Sequence, residues 1–177
     1  SVEGRVMGTF GFLLPHKGQL QLVEAFERLP GWDHLLLLCA TREGTGNTEK
    51  KINSLIESKG LQDRVKLVTD FLDDDVAIAT LAKCELLVFP YQNTKESASG
   101  AVRMGVASGV PIAVSPIPIF DDVNGAIRMR GGTVEDIVAS ISMLSQEDLD
   151  TSKQAIVELR DSLQWDEVAK RIQERLK

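Results

Sequence analysis

Short apolar runs separated by amphipathic stretches constrain this chain more than any other feature. "HLLLLCA" (34–40) is too apolar and too short to be anything but a buried strand. "RVMGTFGF" (5–12), "RVKLVT" (64–69), "ELLVFP" (85–90) and "PIAVSP" (111–116) read the same way, and "AIRMR" (126–130) is a weaker sixth. Between them, apolar residues recur at helical spacing: Leu22, Val23 and Phe26 in 17–29, and Ile52, Leu55 and Ile56 in 47–60. Further helices are predicted over 73–84, 100–108, 133–144 and the tail 150–177, whose last stripe is Trp165, Val168, Ile172 and Leu176. Gly60 gives a C-terminal stop, and the aspartates at 73–75 suit a helix start. This rhythm predicts an α/β fold, a Rossmann-like parallel sheet of about six strands with helices on both faces.

Composition narrows the function classes. The 177 residues suffice for one domain, and 43% apolar residues make it globular. A net charge of −6 without a basic cluster argues against nucleic-acid binding. No apolar run approaches the roughly 20 residues of a membrane span, and no signal-peptide pattern opens the sequence. A cytoplasmic location is expected. Cys39 and Cys84 sit in or beside strand-like runs without a CxxC partner, which predicts reduced core residues.

In a parallel sheet, ligands bind outside the carboxyl ends of the strands. The informative loops are therefore 11–17, 40–47, 70–73, 91–100 and 116–125. The first, "GTFGFLLPHKG", does not match GxGxxG, and neither GxxxxGK[ST] nor GxSxG occurs. His16 and His34 have no ligands at metal spacing, so no metal site and no cofactor is expected. What remains are "PHKG", "TREGTGN", "TDFLDDD" and "KESASGAVR" at the strand ends. Lys17 is a point charge at the mouth of the first loop. Ser97, Ser99 and Gly100 bring hydroxyls and close backbone approach to a helix start, which favours anions. Glu96 can accept hydrogen bonds from two hydroxyls. A cation, a helix N-terminus and a carboxylate together suit a diphosphate carrying a sugar.

These blocks carry a resemblance. "GFLLPHKGQLQLVEAFERLP", "GLQDRVKLVTDFLDDDVAIATLAKCELLVFPY", "ESASGAVRMGVASGVPIAVSP" and "LQWDEVAKRIQERL" are, in order and spacing, similar to the C-terminal domain of GT-B fold glycosyltransferases of the retaining group 1 family. The similarity spans essentially the whole chain. It implies a single donor-binding domain, one half of a GT-B fold, within a larger two-domain enzyme. It also implies a nucleotide-diphosphate sugar as donor and a glycan or lipid-linked acceptor, the latter held by an N-terminal domain. Peripheral attachment to the inner face of the membrane goes with that expectation. The strand reached almost at once at the start of the chain fits a domain of a longer protein.

The resemblance further implies Lys17 and Glu96 as catalytic residues. It places donor contacts at Gly11, Phe12, Lys17, Phe71, Glu96, Ser97, Ala98, Ser99, Gly100 and Arg103. Three positions depart from the family pattern. Phe12 stands where an arginine is usual, Met104 where the second glutamate of Glu-x7-Glu is usual, and Thr69 where a glycine is usual. Arg103, beside Met104 and about one turn into the helix, either replaces the missing cation or points into solvent. The family's base contact falls on Phe71 through its backbone. A sugar-nucleotide epimerase of the same fold and a non-catalytic binding homologue are the competing expectations.

Overall fold

The computed structural model describes residues 3–42, 46–94, 96 and 98–175. Six parallel strands form one sheet: β1 (Val6–Phe12), β2 (His34–Ala40), β3 (Val65–Val68), β4 (Leu86–Phe89), β5 (Ile112–Val114) and β6 (Ile127–Arg128). Their order is β3-β2-β1-β4-β5-β6. The central pair runs in register from Val6 opposite His34 to Phe12 opposite Ala40. The strand order reverses at β1 and β4, the switch point where such sheets open a crevice.

The helices are α1 (Gln19–Phe26), α2 (Gly46–Ser58), α3 (Asp74–Leu81), α4 (Gly100–Ser108), α5 (Val134–Ile141), α6 (Gln146–Ser162) and α7 (Trp165–Arg175). Strand alternation divides the core. Met7, Leu35, Leu37, Leu86 and Val88 point to the face that buries Leu22 and Phe26 of α1, Ile52 of α2 and Ile137 of α5. Leu38, Leu87, Phe89 and Val114 point to the other, against Leu81 of α3, Val102 and Val106 of α4, and Ile156 of α6. Each fully buried leucine or phenylalanine contributes about 1.5–3 kcal/mol of transfer energy. The apolar strand runs are continuous because both faces are covered.

The expected six-stranded α/β sheet is the one observed, with corrections at its margins. Lys17 and Gly18 precede α1 rather than opening it: Pro15–Lys17 is a 3-10 turn and Gly18 is left-handed. The sixth strand pairs over two residues only. The tail is helical, as two helices with the first starting before residue 150. The first begins at Gln146 because Ser145 and Asp148 form a reciprocal capping box.

The stripe on α7 is not buried. Trp165 is 85% exposed and Ile172 54%, while Leu176 lies outside the described residues. Truncation after Gln164 is therefore expected to lower the unfolding free energy by less than about 1 kcal/mol, read from the urea midpoint. A larger loss would mean that α7 packs on the domain. Cys39 and Cys84 are free and buried, as expected. Burial pushes both thiols up to about 12, the Cys39 shift being partly offset by a hydrogen bond from Gln19.

Candidate binding site at the carboxyl edge

The site is assembled where two loops meet. After β1, residues 15–17 turn and Gly18 adopts φ +73°. A Cβ at Gly18 would lie 2.0 Å from the Pro90 carbonyl oxygen, so only glycine permits this approach to the end of β4. The Gln92 amide donates to the His16 carbonyl oxygen at 2.7 Å and locks the two loops together. Gly11 plays a similar part, because its absent Cβ would sit 3.0 Å from that of Ala101 at the start of α4.

This docking places Lys17 beside Tyr91 and Glu96. The Lys17 side chain is only 9% exposed. Its Nζ sits 4.1 Å from the centre of the Tyr91 ring and donates to Glu96 Oε2 at 2.6 Å. The other carboxylate oxygen, Oε1, lies 3.2 Å from His16 Nε2. Partial burial pushes the Glu96 pKa up. Hydrogen bonding and charge from Lys17, with His16 in support, outweigh that and leave it below its ordinary value. Glu96 is therefore an ionised acceptor at neutral pH.

Ser99 is the N-cap of α4, accepting from the Val102 amide, and it also shares a 2.9 Å hydrogen bond with the Tyr91 hydroxyl. Burial pushes the Tyr91 pKa upward, so the phenol stays neutral. The Ser99 hydroxyl is thus engaged within the protein. By helix geometry, the amides of Gly100 and Ala101 are the donors that α4 offers a ligand.

These groups open onto a cavity of about 350 Å³. It is lined by eight of the ten expected residues: Gly11, Phe12, Lys17, Phe71, Glu96, Ala98, Ser99 and Gly100. Ser97 lies outside the described residues. Arg103 does not line the cavity; it is ion-paired with Asp122 after β5, which turns its guanidinium away from the replacement role. Met104 does line the cavity, at the position where a methionine stands in place of the family's usual second glutamate.

At the far wall the Phe12 and Phe71 rings lie 27° from parallel with centroids 6.5 Å apart, and Arg42 lies 5.7 Å from the Phe12 ring centre. Arg42, Asp70 and Asp74 also line the cavity. They fall in or beside the loops after β2 and β3, so the strand-end rule pointed to their region but not to them. His16 falls inside "PHKG" and Tyr91 inside a block of the resemblance, but neither is singled out there, because their contacts with Lys17 and Glu96 depend on two distant loops meeting. Among the described residues, no three His, Cys, Asp or Glu side chains converge as metal ligands.

This fold recurs in known structures. The chain matches HepE of Anabaena, in a crystal structure with UDP and glucose, at a TM-score of 0.78 and 21% identity, over 97% of this chain and 47% of that one. It matches sucrose-phosphate synthase of Thermosynechococcus elongatus at 0.80 and 17%, over 98% and 45%. It also matches the C-terminal domain of the group 1 glycosyl transferase LpcC of Francisella tularensis at 0.75 and 15%, over 90% and 85%. The fold is one half of the GT-B class, and the chain spans about half the length of the HepE and sucrose-phosphate synthase chains. No curated protein matches the sequence significantly. The model of the family "Glycosyl transferases group 1" matches residues 2–154, and the chain belongs to that family.

Proposed function

We propose that this domain binds the nucleotide-diphosphate sugar donor of a glycosyltransferase. With an N-terminal domain, it transfers a hexose or deoxyhexose to a glycan or lipid-linked acceptor with retention. The observation that carries the proposal is the convergence of a nearly buried Lys17, the start of α4 and Glu96 on one cavity. Lys17 and the Gly100 and Ala101 amides hold the diphosphate. As the bond from the sugar's anomeric carbon breaks, its electron pair passes to the phosphate oxygen, and these donors stabilise the charge that develops there. Glu96 accepts from sugar hydroxyls, and the base lies toward Phe71. The HepE complexes with UDP and with UDP-glucose support this choice of donor. Cytoplasmic polysaccharide synthesis is the setting that fits.

Met104 in the cavity wall favours one second reading, a donor-binding homologue without turnover. Sugar transfer by the protein together with its N-terminal part would exclude it.

Calorimetry of this chain with UDP, GDP, dTDP and ADP tests the donor reading. One of them is expected to bind with a dissociation constant on the order of 1 mM. The affinity should be unchanged by a chelator, because protein cations and amides neutralise the diphosphate. No heat with any of the four would refute donor binding. Binding only with magnesium or manganese would refute the metal-free site.

A further inference from the structure

We infer that His16 is a positioning residue of this site: it holds Glu96 in place while Lys17 exchanges the carboxylate for the donor's diphosphate. The inference rests on the donor reading above. In this structure the cation and the acid assigned to the donor are bonded to each other, Lys17 Nζ to Glu96 Oε2 at 2.6 Å. A lysine side chain 9% exposed over a tyrosine ring needs an anionic partner, and Glu96 supplies it. A diphosphate arriving at Lys17 brings more negative charge and takes that place.

Glu96 then loses its cation and faces a like charge. Its side chain is 38% exposed, so water is an open alternative. What opposes its departure is the second contact, His16 Nε2 to Glu96 Oε1 at 3.2 Å. An ionised carboxylate only accepts hydrogen bonds, so the imidazole must present N–H at Nε2. His16 is itself fixed. Its carbonyl oxygen accepts from the Gln92 amide, and its ring meets the Tyr91 ring edge-on at 88° with centroids 6.5 Å apart. A carboxylate has about four acceptor positions, and His16 occupies one. Once Lys17 is withdrawn, Oε2 is free for a sugar hydroxyl while Oε1 stays anchored.

The test compares a nucleoside diphosphate that binds this chain with its glucose or mannose conjugate, using wild type, His16→Phe and His16→Gln. His16→Phe keeps a ring and removes the donor; His16→Gln keeps a donor at similar reach. The wild type is expected to bind the conjugate more tightly than the parent diphosphate. His16→Phe should lose about 10-fold on the conjugate, the size of one hydrogen bond to a charged group, and stay within about 3-fold on the diphosphate. His16→Gln should recover the conjugate to within about 3-fold of wild type. Equal weakening of both ligands by His16→Phe, or no weakening of either, overturns the positioning role while leaving the donor site standing. A wild type that binds none of the diphosphates overturns the donor reading itself, and this inference with it.

Discussion

Gly18→Ala is expected to destabilise the domain by about 3 kcal/mol or more, measured by urea unfolding. Two costs add. An L-residue at φ +73° costs about 1–2 kcal/mol. The new Cβ would stand 2.0 Å from the Pro90 carbonyl oxygen, which belongs to the backbone and cannot rotate away. Either the 15–17 turn or the end of β4 must move. Movement breaks the bond from the Gln92 amide to His16 and separates Lys17 from Glu96. Donor binding should therefore fall together with stability. Gly46→Ala is the control, since a Cβ there meets nothing within 4 Å among the described residues, and its effect should stay within about 0.5 kcal/mol. A Gly18→Ala protein that unfolds at the wild-type urea concentration would mean the two loops are not packed as described.

Lys17→Met should weaken nucleoside diphosphate binding by about 30-fold or more, because removing one partner of a desolvated charged hydrogen bond costs roughly 2–5 kcal/mol. Stability should change little. Methionine can fill the space over the Tyr91 ring, and Glu96, 38% exposed, can be hydrated once its partner is gone. Calorimetry and a melting curve on the same sample separate the two effects. Wild-type affinity in Lys17→Met would place the anion elsewhere. Loss of binding together with a collapsed melting temperature would mean that Lys17 acts through folding.

Several elements were legible because their signals are local. The "HLLLLCA" run had to be a strand covered on both faces, and it is the second strand of a two-faced sheet. Ser99 was recognisable as a helix start, and it caps α4 through the Val102 amide. Leu22, Val23 and Phe26 were predicted to share the inner face of α1, and all three are fully buried. The region of the site followed from the strand-end rule, which needs only strand direction and connectivity.

Other features depended on partners far away in sequence. The α7 pattern of Trp165, Val168 and Ile172 states that one face is apolar, not what covers it, and in this domain Trp165 and Ile172 are exposed while Val168 is half-buried. Arg103 drew attention because it lies beside Met104 in the sequence, but the loop after β5 brings Asp122 to it.

By itself, the sequence determined the elements and their parallel arrangement, and it pointed to the edge where the cavity lies, since periodicity, caps and glycines act over one or two turns of chain. Only the tertiary structure decided that Lys17 and Glu96, 79 positions apart, hold each other, and that His16 touches the same carboxylate. The reason is geometric. Side-chain pairing depends on a close approach of Gly18 to Pro90 that nothing near either residue in the chain announces.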